Sequence, residues 1–299
     1  TGGIQFGIRD LDAKVGGLQP GELTLLAGYS SDGKTTLTTQ LGWSACVEQG
    51  KNVVFFTTET LRPQVRRKMM SRHSRHPKFG LPEGINTRDL KAGTLTPELE
   101  AKYQEVVADF TRNPAHGKMY IAQVPRSSTI ASIEQRMFRL QRRFNIDLVL
   151  MDYLALLVSA QRRQTQREEL AAILKEAKQV STTFDDGRGV PFVSPWQVSR
   201  AAREAAEKAE QYSSASLSET AEATNSADLI VSLFAPPDNT DRYTDVQMQV
   251  LKNRDGETAN SLATQVDYAT SWFQSRDQFA PAVTSSQSLV GAGGLDTFF

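Results

Sequence analysis

Short apolar runs alternate with longer amphipathic stretches over the first three quarters of the chain. The runs ELTLLAG (22–28), NVVFFTTE (52–59), KMYIAQ (118–123), IDLVLMD (146–152), VPFVSP (190–195) and ADLIVSLF (227–234) read as strands. Most are apolar at consecutive rather than alternate positions, as expected of strands covered on both faces. Between them, apolar residues recur at helical spacing: Ile133, Met137, Leu140 and Phe144 within 129–144, and Leu170, Ile173, Leu174 and Ala177 within 168–184. Strands alternating with helices predict an α/β fold with a mainly parallel central sheet, flanking helices and right-handed crossovers. The last third changes character. Residues 246–274 read as hairpin strands with Asp255-Gly256 as the turn. Residues 200–220, charged and then Ser-rich, predict a mobile loop, and 281–299, rich in Ser, Gly and Ala, a flexible tail. The expected division is a lead-in segment (1–16), one large domain (17–280) and the tail (281–299).

Composition narrows the function. The 299 residues carry 34 Lys plus Arg and 34 Asp plus Glu, so a globally basic nucleic-acid binder is not indicated. Any DNA contact must come from local basic patches. The single cysteine, Cys46, cannot build an internal disulfide or a Cys-based zinc site. No run approaches the ~18 apolar residues of a membrane span, and no leader pattern is present, so the cytoplasm is the expected location and no membrane partner is expected. The opening TGGIQFGIRDLD does not read as a natural start, and an upstream domain is expected.

The chemistry begins at Gly28-Tyr29-Ser30-Ser31-Asp32-Gly33-Lys34-Thr35, followed by Thr36. The stretch satisfies G-x-x-x-x-G-K-[ST] and sits between an apolar strand and a helical pattern, the context that motif needs. Its glycines let backbone N–H groups turn toward phosphate oxygens, and the following helix presents the positive end of its dipole to them. Lys34 is expected to reach the β- and γ-phosphates of ATP, and the Thr35 hydroxyl to ligate Mg²⁺. Asp152 ends the apolar run IDLVLMD; a carboxylate there needs a cation or donors, and Mg²⁺ with its waters supplies both. Glu59 follows NVVFF and Gln197 follows VPFVSPW, both at strand ends that gather on the ligand edge of a parallel sheet. Glu59 is the candidate to activate water, falling beside the phosphate loop if its strand neighbours the first. Gln197 can donate to a γ-phosphate and accept elsewhere.

These residues occur in an order that resembles the C-terminal motor domain of DnaB-like replicative helicases. GLQPGELTLLAGYSSDGKTT, VVFFTTE, LKAGTLTPE, IDLVLMDYLALL, VPFVSPWQVSR, ADLIVSLF and KNRDGE follow one another over roughly residues 5–275. The resemblance implies a RecA-like P-loop NTPase core forming a hexameric ring that moves 5′ to 3′ on single-stranded DNA during replication. It implies that Glu59 is the catalytic glutamate, Asp152 the magnesium-supporting aspartate, and Gln197 the link from γ-phosphate to the DNA loops. It further implies that Lys252 and Arg254 enter a neighbouring protomer's ATP site. Residues i and i+2 of a strand share one face, which suits that role. A primase, loader or polymerase are the partners it suggests. Residues 217–221, Leu-Ser-Glu-Thr-Ala, depart from the family's Arg-Glu-plus-glycine pattern, with Ser218 at the arginine position.

DNA is expected at two loops, one bearing Arg162, Arg163 and Arg167, the other bearing Arg200, Arg203 and Glu219. Such loops grip phosphates without reading bases. The basic stretch 62–78 predicts a helix with Val65, Met69 and Met70 inward and its arginines outside. His73, His76 and His116 lack metal-ligand spacing in sequence, so Mg²⁺ is the only metal expected. The terminal GGLDTFF is a candidate partner-docking tail. A RecA-like recombination ATPase forming filaments and a non-unwinding scaffold ATPase are the alternative functions.

Overall fold

The computed structural model describes residues 2–161, 163–217, 221–237 and 242–276. In chain order the elements are α1 (Arg9–Val15), β1 (Leu23–Gly28), α2 (Lys34–Trp43, continued by a π-helical turn), β2 (Val53–Thr57), α3 (Arg62–Ser74), α4 (Thr87–Ala92), α5 (Pro97–Arg112) and β3 (Met119–Gln123). They continue with α6 (Ile130–Gln141), β4 (Leu148–Asp152), α7 (Gln166–Thr183), β5 (Phe192–Gln197), α8 (Arg200–Ala209), α9 (Ala221–Ser226), β6 (Leu229–Phe234), β7 (Tyr243–Asn253), β8 (Ala259–Asp267) and β9 (Trp272–Ser275). All nine strands join one sheet in the order β3-β2-β4-β5-β1-β6-β7-β8-β9. The first six in that order run parallel, and β7, β8 and β9 extend the sheet as antiparallel strands.

The consecutive apolar positions have the expected cause. Leu25 and Ala27 of β1 enter one apolar layer with α6 and α7, while Leu26 enters the other with α1, α2 and α3. Successive side chains of a strand point to opposite faces, so a sheet covered twice needs apolar residues throughout.

Three expectations are corrected. Residues 1–16 are not a lead-in outside the domain: Phe6, Ile8 and Leu11 are fully buried in the second layer, and Ile4 pairs with Leu18. The Asp12 carboxylate fastens this segment by accepting from the backbone N–H groups of Phe6, Gly7 and Ile8 at 2.6, 2.9 and 2.9 Å. Burial pushes its pKa up to about 6 against those three bonds. Asp12→Ala is expected to cost about 2 kcal/mol by orphaning these donors, measured by urea denaturation. Second, the first half of 200–220 is helix α8, capped by Ser199, whose hydroxyl accepts from Ala202 N–H. Its alanines favour helix as strongly as its charges suggested solvent. Third, the condition set for Glu59, that its strand neighbour β1, is not met: β4 and β5 lie between β2 and β1. Helices α4 and α5 had not been assigned from the sequence, although Thr96 and Pro97 supply a side-chain cap and a first-turn proline.

Candidate functional site

The parallel strands end along one edge of the sheet, and their last residues frame a cleft. The register sets Gly28 of β1 beside Gln197 of β5, and Thr57 of β2 beside Asp152 of β4. Ser30, Ser31, Gly33, Lys34, Thr35, Thr36, Glu59, Asp152 and Gln197 all line that cleft. The sheet edge thus brings together residues that the sequence keeps far apart.

The loop between β1 and α2 depends on two glycines. Gly33 has φ +93°, where a side chain is strained, and a Cβ there would sit 3.1 Å from the Phe273 ring. A Cβ on Gly28 would lie 2.9 Å from the Leu233 carbonyl oxygen. The Lys34 ammonium donates to the Tyr29 carbonyl at 2.6 Å. Burial lowers its pKa to about 8, while Asp32, Asp152 and Glu59 pull it up. An incoming polyphosphate acts in the same direction as those carboxylates and fixes the cation in its charged form.

Asp152 is fully buried, and its Oδ1 accepts from the Thr35 hydroxyl at 3.5 Å. Its Oδ2 is buried with no hydrogen-bond partner. Burial raises this carboxyl to about 6, opposed by Lys68 and by the Thr35 bond. A desolvated carboxylate oxygen left unpaired beside a hydroxyl is a donor set that fits a hard, oxygen-seeking cation such as Mg²⁺. Glu59, two residues past the end of β2, is exposed to the same cleft.

Lys68, Tyr153 and Tyr268 also line the cleft and were missed in the sequence. Burial lowers the Lys68 pKa and Asp152 raises it. The helix pattern did contain the signal for Lys68: Val65, Lys68, Met69 and Arg72 are spaced i, i+3, i+4, i+7 on α3, so two cations share the inward stripe. The outward reading of that helix therefore holds for Arg62 and Arg66 but not for Arg72, which is buried with its guanidinium 3.5 Å from the Trp43 ring. Tyr268, whose hydroxyl donates to the Ser31 carbonyl at 3.2 Å, comes from the turn between β8 and β9, and nothing local announced it.

The other candidates fall outside the cleft. Asp32 turns its carboxylate away from it, accepting from Tyr29 N–H, the Tyr212 hydroxyl and Arg203. Arg203 is buried in that contact, so it is not available as a DNA-facing side chain, a correction to the sequence reading. Arg163 is exposed on the loop before α7, whereas Arg167 and Arg200, expected on loops, are exposed in the first turns of α7 and α8, Arg200 being paired with Glu204 at 3.2 Å. Arg162, Glu219 and the tail 281–299 lie outside the described residues.

Lys252 and Arg254 sit at the opposite edge. Because β7 runs antiparallel to β6, Lys252 pairs with Ile230 near the start of β6. Its ammonium donates to the carbonyls of Thr224 and Ala227, both at 2.6 Å. Arg254 pairs with Asp228 at 2.9 Å, and Asp228 also accepts from Leu23 N–H at the first residue of β1. The length of β1, roughly 17 Å, separates this pair from the phosphate loop of its own chain.

The structure also gathers His73, Asp109 and His116, which sequence spacing had kept apart. Trp43 N–H donates to His73 Nδ1 at 3.1 Å, which puts the ring proton on Nε2, facing Asp109 Oδ2 at 2.8 Å. Lys78 pairs with the same Asp109 oxygen. With its ligand lone pair committed to Trp43, His73 acts as a buried hydrogen-bond relay. Burial lowers its pKa to about 4, partly offset by Asp109. The unfolded chain takes up this proton near pH 6.5, and the folded chain does so only near 4. Stability is therefore expected to fall by up to about 3 kcal/mol as pH drops through that window. Urea denaturation at pH 7.5, 6 and 5 should show a shallower pH slope for His73→Gln.

An extended nine-stranded sheet with its phosphate loop after a central strand, a buried carboxylate with one unpaired oxygen, and a glutamate lining the same cleft defines a P-loop NTPase of RecA-like architecture. Residues 3–274 match the family described as the DnaB-like helicase C terminal domain, and the chain belongs to that family. It is 24% identical over 259 residues to the replicative DNA helicase DnaB of Leifsonia xyli subsp. xyli (strain CTCB07), covering 86% of this chain and 52% of that protein. It is 24% identical over 272 residues to the replicative DNA helicase DnaC of Bacillus subtilis (strain 168), covering 89% and 55%. The chain spans about half the length of the curated relatives it matches. Among solved structures it is similar to one described as an ATPase domain, with TM-score 0.76, 17% identity and 91% of each chain covered. It is also similar to a DnaB-like replicative helicase solved in a study of its interactions with primase, with TM-score 0.74, 17% identity, and 91% of this chain and 61% of that one covered. Both likenesses concern the fold. No helix among the described residues is long and apolar enough to cross a membrane.

Proposed function

We propose that the chain is the motor of an ATP-dependent DNA helicase that hydrolyses ATP at the subunit interfaces of a hexameric ring and moves 5′ to 3′ along single-stranded DNA in replication. The observation that carries this reading is the division of charge between the two edges of the sheet. The phosphate loop, Asp152 and Glu59 occupy one edge, and Lys252 with Arg254 occupy the other. A cation pair that cannot reach its own triphosphate fits an active site completed by a neighbour. The direction of travel comes from the family resemblance, and a primase is the expected partner for the same reason.

In this reading Lys34 neutralises the β- and γ-phosphates, and Thr35 with Asp152 would hold Mg²⁺, which when bound would supply neutralisation of phosphate charge. Glu59 accepts a hydrogen bond from the attacking water and holds it in line, while the Gln197 amide contacts the γ-phosphate. The pairs Gly28 with Gln197 and Thr57 with Asp152 place Asp152 and Gln197 on strand ends, and the bond from Lys34 to the Tyr29 carbonyl ties the start of α2 to the loop after β1. Arg163, Arg167 and Arg200 are the described candidates for gripping the phosphate backbone.

The deciding measurement is steady-state ATPase activity with and without oligo(dT) on size-fractionated protein, followed by unwinding of a forked duplex. Turnover per protomer should rise with concentration and with oligo(dT), and rings should be visible by electron microscopy. Filaments would favour a recombination ATPase. ATPase activity with no strand separation would favour a scaffold.

A further inference from the structure

We infer that Arg203 and Tyr212 are positioning residues that hold the phosphate loop from behind through Asp32, and that they couple the segment after β5 to nucleotide binding; the coupling to DNA rests on the helicase reading above.

Asp32 occupies a free position of the phosphate-loop pattern, where the motif demands no particular side chain. A carboxylate there is costly in two ways. It is almost completely buried, and it lies one residue from a glycine that lines the cleft. Its burial pushes its pKa up, and what offsets that is a set of donors, one local and the others from distant elements. Oδ2 accepts from the Tyr212 hydroxyl and from Tyr29 N–H, each at 2.7 Å. Oδ1 accepts from Arg203 at 2.8 Å. The side chain does not line the cleft, although Ser31 and Gly33 on either side of it do. Asp32 therefore shapes the loop and does not touch the triphosphate.

Its partners are anchored elsewhere. Arg203, on α8, also donates to the Ala235 carbonyl at 2.8 Å and to Glu207 at 2.9 Å, and lies 4.6 Å from the Phe234 ring centre. Tyr212 is fully buried; its N–H donates to Gln249 of β7 at 2.9 Å, and its ring meets Phe234 edge-on. Helix α8 starts three residues after Gln197, and residue 212 lies just beyond the helix. Both grips on Asp32 thus come from the stretch that carries exposed Arg200 and leads to the departure at 217–221. A shift of α8 on binding a phosphate backbone pulls on Arg203, and the only loop atom it holds is the Asp32 carboxylate among the described residues. A buried ion pair of this kind responds sharply, because displacing one partner strands the other.

The test is the Kd of N-methylanthraniloyl-ADP with Mg²⁺, with and without oligo(dT), on the whole chain. Tyr212→Phe removes only a hydroxyl and keeps the ring. It is expected to raise Kd about fivefold and to abolish the change in Kd that oligo(dT) causes in the parent. Arg203→Gln should do the same more strongly, and adding Asp32→Asn to Arg203→Gln should restore part of the affinity by removing the stranded charge, which a nonspecific loss of fold would not do. If Arg203→Gln does not fold, Tyr212→Phe decides. Kd values within twofold of the parent, with the oligo(dT) response intact, would overturn the inference. A parent that binds nucleotide but ignores oligo(dT) would overturn the coupling. A parent that binds no nucleotide would bring down the functional reading itself, visibly and before any variant is made.

Discussion

Glu59→Gln is expected to bind ATP as tightly as the parent and to lose turnover by about 10²–10⁴-fold, the usual worth of a positioned base. The substitution keeps the length and one acceptor oxygen of the side chain and removes its charge. That change touches neither the Lys34 and Tyr29 contact nor the Asp152 and Thr35 pair. Glu59 is also exposed and outside β2, so the fold is not at stake. Nucleotide affinity should stay level or improve slightly, because one of the carboxylates facing the phosphates is gone. Fluorescent-nucleotide binding and steady-state phosphate release, measured on one preparation, separate the two effects. A variant that turns over at the parent's rate would mean that the water is held by another group, and Gln197 or Tyr153 would then be the residues to change next.

The parts of the molecule that were legible in the sequence are those whose cause is local. The inner parallel strands announced themselves because burial on both faces leaves no polar position in a strand interior such as that of Val53–Thr57 or Leu148–Asp152. The phosphate loop was readable because its backbone geometry demands particular residues at fixed spacing. What sequence did not yield is pairing. The order β3-β2-β4-β5-β1-β6 depends on crossovers, and with it the fact that Glu59 reaches the cleft although β4 and β5 separate its strand from β1. The inward turn of Arg203 was invisible because its partner Asp32 is 171 residues away. Tyr268 was invisible for the same reason, since its neighbour Ser31 lies across the added antiparallel wing. Lys68 is the instructive intermediate case. Its stripe on α3 was readable, but a lysine among so many basic residues does not stand out, because exposed lysine is the common case.

Arg254→Ala is expected to lower turnover by about 10³–10⁵-fold, the range of an arginine finger, while leaving nucleotide binding and assembly intact. The expectation comes from where the side chain is held. Arg254 rests against Asp228, beside the first residue of β1, and the phosphate loop follows the last. No rotamer of an arginine spans a six-residue strand, so loss of activity in a variant that still binds nucleotide and assembles is loss of something given to another chain. That argument makes a sharper demand than a single variant can test. Arg254→Ala retains a complete phosphate loop, and Lys34→Ala retains a complete Arg254. Each preparation alone should be inactive, and mixing the two before assembly should restore turnover at those interfaces where an intact loop faces an intact arginine. Mixed preparations that stay inactive, although size analysis shows that they have assembled together, would mean that both residues act within a single protomer, and the two-edged division of charge would then need another purpose.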